Sequence, residues 1–91
     1  MALTKETVVD KIEVLEMGQV QVRTATRVLE DGVALSSSFH RHVVEPSTKA
    51  SGSWADTDIS GEDARVQAIA TATWTSAVKT AYQEMIDAQA L

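Results

Sequence analysis

Two glycine-bearing turns, Met17-Gly18 and Asp31-Gly32, bracket a segment that alternates with a period of two, and this constrains the fold more than any other feature of the chain. One face of the segment reads Val20, Val22, Thr24, Thr26, Val28; the other reads Gln19, Gln21, Arg23, Ala25, Arg27. Successive side chains of a strand point to opposite faces, so the pattern predicts a half-buried strand. Asp-Gly between alternating segments predicts a two-residue hairpin, because both central positions of a type I′ turn need positive φ. That turn would pair Val28 with Leu35, Thr24 with Phe39 and Val20 with Val43. At the first turn, a two-residue Met17-Gly18 loop would set Val14 against Gln21 and mix the faces. A three-residue loop, Glu16-Met17-Gly18, instead sets Val14 against Val20 and Ile12 against Val22, with Gly18 in the left-handed position of a G1 bulge. The expected product is a three-stranded antiparallel meander with a core face of Val8, Ile12, Val14, Val20, Val22, Val28, Leu35, Phe39 and Val43.

Pro46 cannot donate to a ladder and ends the third strand. Residues 47–58 are small, polar and aperiodic, which predicts a loop carrying Trp54. Ser60 is a candidate N-cap, with Glu62 and Asp63 expected in the first helical turn, where the helix dipole favours acids. Val66, Ile69, Ala70, Trp74, Ala77, Val78, Ala81 and Met85 then recur at three- and four-residue spacing. A single helix of that length would run about 42 Å, long for so small a domain. Thr75 offers a second N-cap, so two helical segments, 62–73 and 76–89, are expected, with a bend or short turn between them. The fold class is α+β: a meander over 5–45, a flexible loop over 46–60, and a helical half over 61–90 packed on one sheet face. The 91 residues form a single domain.

Composition removes several classes of function. Eight Lys and Arg against thirteen Asp and Glu give a net charge of −5, which argues against binding nucleic acid directly through phosphate neutralisation. With no cysteine there is no disulfide, thiol nucleophile or thiolate-ligated zinc. The segment Met1-Ala2-Leu3-Thr4-Lys5-Glu6 lacks a signal-peptide pattern, and no apolar run reaches the roughly 20 residues of a membrane span. No phosphate loop, nucleophile elbow or dinucleotide fingerprint is present, so no catalytic residue and no cofactor are expected.

Five residues stand out as interface candidates: Trp54, Lys11, Arg23, His40 and His42. His40 and His42, two apart on a strand, share a face and could hold a transition metal, with Glu13 as third ligand in a row of Glu13, Gln21 and His42. A polar, partner-facing surface is the competing reading, and no metal site is assigned. Lys11, Arg23 and His40 would form a second row, able to meet an anion or an acidic partner. Arg41 would point toward the apolar face beside Val22 and either snorkel outward or pair with a carboxylate such as Asp10 or Glu62. The outer strands are read as unblunted edges, open to sheet extension by a neighbour.

The strings Thr7-Val8-Val9-Asp10-Lys11-Ile12-Glu13-Val14-Leu15-Glu16, Gln21-Val22-Arg23, Glu30-Asp31-Gly32, Phe39-His40-Arg41-His42-Val43 and Arg65-Val66-Gln67-Ala68-Ile69-Ala70, with Trp74-Thr75, resemble short proteins of tailed bacteriophages, cyanophages among them. The likeness covers most of the chain except 47–58. Such proteins occur among late structural and tail-fibre genes and mostly lack an assigned activity. The resemblance implies a non-enzymatic virion component of the tail, neck or fibres, assembled in the host cytoplasm and held by other phage structural proteins or by its own copies. Two other expectations stand beside it: a tail-fibre assembly chaperone or adaptor, and a small metal-binding module using His40 and His42.

Overall fold

The computed structural model describes residues 2–89. Met1 and residue 90, the last of the expected helical half, lie outside the described residues. The fold is α+β: a three-stranded antiparallel sheet, then a second small sheet, then two C-terminal helices. Strands β1 (Leu3–Val14), β2 (Val20–Glu30) and β3 (Val33–Val44) form the meander in the order β1-β2-β3.

The first turn is the three-residue loop. Val14 pairs with Val20 and Ile12 with Val22, and Leu15 and Gln19 close the loop through a main-chain hydrogen bond of 2.8 Å. Gly18 takes φ +90°, and a Cβ there would sit 2.6 Å from Val78 Cγ1 and 3.1 Å from Pro46 Cγ. Glycine is therefore required twice, by conformation and by space. The second turn also has the expected length, with Glu30 paired to Val33 and both Asp31 and Gly32 at positive φ.

The register beyond that turn differs from the expected one. An extra residue, Leu35, lies between the Leu29–Ala34 and Val28–Ser36 pairs, and the bulge slips the rest of β3 by one. Thr24 meets His40 rather than Phe39, and Val20 meets Val44 rather than Val43. A one-residue slip turns every side chain over. Phe39 and Val43, expected in the core, are accordingly 50% and 53% exposed, and Val44 is buried instead. A second bulge, at Asp10, interrupts β1 between Val9 and Lys11. Both edge strands thus carry a bulge, on β1 near its middle and on β3 near its tip, so the reading of unblunted edges fails for β1 and holds for β3 only from Ser36 onward.

Residues 47–56, expected as loop, fold as a hairpin of β4 (Ser47–Ala50) and β5 (Ser53–Asp56). Ser51 and Gly52 turn it, both at positive φ, as a two-residue hairpin loop requires. Helix α1 (Ala64–Thr73) starts later than expected: Asp63, not Ser60, is the cap, and its carboxylate accepts from the Arg65 N–H at 2.8 Å. The break falls at Trp74-Thr75, and α2 (Ser76–Gln89) begins with the Thr75 hydroxyl accepting from the Val78 N–H.

The core joins Val20, Val22 and Val44 of the sheet to Val66, Ala70 and Trp74 of the helical half, with Val9, Ile12, Ile59 and Val78 packed around them. The Trp74 indole donates to the Gly18 carbonyl at 2.7 Å, which ties the helix break to the first turn. On α2 the buried residue is Tyr82, absent from the expected helix core, while Ala77 and Ala81 are exposed. All these core residues lie near one end of the meander. The other end, from Leu3 to Thr7 and from Val33 to Arg41, is exposed, and the molecule measures 57 × 26 × 23 Å.

Candidate interaction surface

The projecting end of the meander is the candidate functional surface, and the β3 slip decides what each of its faces presents. On the face away from the helices, Lys11, Arg23 and Arg41 form one cross-strand row. Arg41 therefore occupies the place expected for His40, and it does not lie on the apolar face. Arg23 donates to both carboxylate oxygens of Asp10, at 2.9 and 2.8 Å, and its guanidinium lies 4.5 Å from the centre of the Phe39 ring. The Arg23 hydrogen bond, followed by the charges of Arg23 and Arg27, outweighs desolvation and holds the Asp10 carboxyl below the usual carboxylate range. Arg27 extends the network to Glu6 at 3.2 Å, and Lys11 pairs with Glu13 at 3.2 Å. Beneath these side chains Ala25 is fully buried, set between Val8 and Phe39 in its row and flanked along β2 by Arg23 and Arg27.

The histidines are on the opposite, helix-bearing face. His42 pairs with Val22 and Ile12 across the sheet, and Glu13 and Gln21 share a row with Val43. The expected row of Glu13, Gln21 and His42 is thus not formed. His42 Nε2 instead meets Glu62 Oε1 at 2.7 Å, in the segment leading into α1, and the His40 ring stacks on His42 with centroids 6.3 Å apart. Among the described residues, no group of three His, Asp or Glu side chains could hold a metal ion.

Trp54 lies on β5 rather than in a loop, half-buried. Its ring meets Tyr82 of α2 edge-on, with centroids 6.1 Å apart, and its indole N–H donates to Asp87 at 3.3 Å. Lys49 bonds the same carboxylate at 2.8 Å and stands 5.5 Å from the Trp54 ring. Those two donors, Lys49 first, hold the Asp87 carboxyl low. Burial, then a hydrogen bond to Glu45, pushes the Tyr82 phenol up to about 12. Trp54 thereby braces the small hairpin against α2. The buried Ser47 hydroxyl adds to that brace: it donates to the Ala55 carbonyl and accepts from Gln83.

An open cleft of about 420 Å³ lies where β1 meets α1, lined by Asp10, Lys11, Ile12, Arg65, Ala68 and Ile69. Arg65 reaches across from α1 to donate to the Val9 carbonyl at the Asp10 bulge. The cleft has an apolar floor and a rim of one acid and two bases.

The residues that sequence reasoning missed are Asp10, Glu62 and Phe39 as members of these surface networks. Asp10 and Glu62 are both expected as partners for Arg41, and Glu62 also in the first helical turn, but nothing in the sequence signals the Asp10 bulge, the Asp10–Arg23 pair or the Glu62–His42 contact. No family model, curated protein or solved structure matches the chain. Among the described residues, no helix is long and apolar enough to cross a membrane.

Proposed function

We propose that this chain is a non-enzymatic structural subunit of a tailed-phage particle, in the tail, neck or fibre region, working through protein–protein contacts made by its projecting arm. One observation carries the reading. The arm holds Leu3, Val33, Leu35 and Phe39 at 63%, 65%, 58% and 50% exposure, and none of them belongs to the hydrophobic core formed by the described residues. Large apolar residues grouped at one exposed end mark contact sites on small proteins. The phage setting rests on the resemblance of strings in β1, β2, the β2–β3 turn, β3 and α1, with Trp74-Thr75, to short phage proteins.

Density-gradient separation of a native lysate, followed by mass spectrometry of this chain, tests the proposal. Co-sedimentation with megadalton particles that survives high salt is the expected result. Recovery only at the top of the gradient, as a free chain, overturns it. Recovery there with one larger partner replaces it with the assembly-chaperone reading.

A further inference from the structure

The two edges of the meander are not equivalent. On β1 the Asp10 bulge breaks the edge near its middle, and Arg65 occupies the Val9 carbonyl there. On β3 the bulge lies near the tip, at Leu35, and from Ser36 to Val44 the ladder to β2 is regular. Among the described residues, no side chain hydrogen-bonds to the β3 main chain. This leaves a regular, unoccupied edge, the template for adding a strand.

The sequence of that edge is self-complementary in size and chemistry. It reads Ser36-Ser37-Ser38-Phe39-His40-Arg41-His42: three short hydroxyls, one aromatic, then three long nitrogen-bearing side chains. Pairing the strand antiparallel with itself about Phe39 sets Ser38 opposite His40, Ser37 opposite Arg41 and Ser36 opposite His42. Each long side chain then faces a short one with a hydroxyl that can accept its N–H. Charge disfavours two of the competing arrangements. No carboxylate lies between Val33 and Val44, so pairing centred on Arg41, or parallel pairing in register, would stack guanidinium on guanidinium. Centring on Phe39 keeps the two Arg41 side chains apart and covers the half-exposed Phe39 with its own copy.

We infer that β3 is a self-association edge: two copies of this chain join through antiparallel β3–β3 pairing about Phe39, giving one continuous six-stranded sheet. Such an interface is isologous and closes at two copies. It names a second copy as the arm's partner, and it stands or falls on the purified chain, separately from the particle test above.

Sedimentation velocity of the purified full chain over a concentration series provides the test, with Ser37→Lys and Ser37→Asp beside it. A monomer–dimer equilibrium is expected. Ser37→Lys, facing Arg41 of the other copy, weakens it by about tenfold, equivalent to ~1.4 kcal/mol, and Ser37→Asp tightens it. Ser37 is exposed but pairs with Arg27 of its own chain, so circular dichroism and thermal unfolding of each variant as a dilute monomer separate an effect on the strand from one on association. Because the chain has no cysteine, Phe39→Cys is expected to form a disulfide-linked dimer on oxidation, and Thr4→Cys on the β1 edge is not. A monomer at every concentration, equal dissociation constants for both Ser37 variants, open-ended polymers, or cross-linking at Thr4 rather than Phe39 would each overturn the inference.

Discussion

The packed end and the projecting arm are built from the same three strands, yet different forces hold them. At the packed end Val20, Val22 and Val44 lose nearly all their exposure to Val66, Ala70 and Trp74, so apolar burial dominates. Along the arm the strands keep their ladder, but the side chains form a surface network of Asp10, Arg23, Arg27 and Glu6 over a single buried Ala25. A sheet can thus extend beyond its hydrophobic cover when cross-strand charges and main-chain bonds keep it ordered. The uncovered part is then available to other molecules.

The largest expected effect falls at the packed end. Trp74 contributes both its buried ring and its hydrogen bond to the Gly18 carbonyl. Trp74→Ala should destabilise the protein by about 3–5 kcal/mol, read from urea unfolding. It also leaves the Gly18 carbonyl without its partner, which places the loss toward the top of that range. A loss below ~1 kcal/mol would show that the core does not hold the two halves together.

The arm should answer to pH instead. The Asp10 carboxyl is held low in the folded state, so its contribution is fully present above the pH at which an unperturbed Asp protonates, about 4. The contribution is lost as pH falls through the lowered value. Hydrogen-exchange protection of the Val8–Ala25–Phe39 row, corrected for intrinsic rates, should therefore fall in acid before that of Val20 and Val22. Asp10→Asn should reduce the protection of that row already at neutral pH and remove its acid dependence. Simultaneous loss at both ends would mean that the sheet opens as one unit and that the ion pairs do not set the arm's local stability.

The same contrast explains what the sequence could reveal. The first turn was readable because Ile12, Val14, Val20 and Val22 give apolar markers on both sides of Gly18, so that only one loop length aligns them. The helix break was readable from Thr75, a cap residue placed directly after the apolar Trp74. The β3 slip was not, because Ser36-Ser37-Ser38 presents identical side chains at successive positions and alternation survives a one-residue shift. The error carried His40, Arg41 and His42 to the wrong faces, and with them both proposed site rows. The 47–56 hairpin was missed for a related reason: its strands are short and polar, and Ser51-Gly52 was the one turn signal within them. Tyr82 hid because its burial depends on that same hairpin, through Trp54.

The smallest expected effect is on the arm's apolar tip, where it bears most directly on the proposed function. Val33 is 65% exposed, so Val33→Ser should change monomer stability by no more than about 0.5 kcal/mol. Val20, fully buried, should respond to the same substitution with a loss several times larger, since it forfeits burial and places an unpartnered hydroxyl in the core. Thermal unfolding of the two variants in dilute solution would measure the gap. A Val33→Ser loss approaching that at Val20 would mean the tip is already covered in solution. A neutral Val33→Ser that nevertheless prevents incorporation into particles would separate the residue's role in assembly from any role in folding.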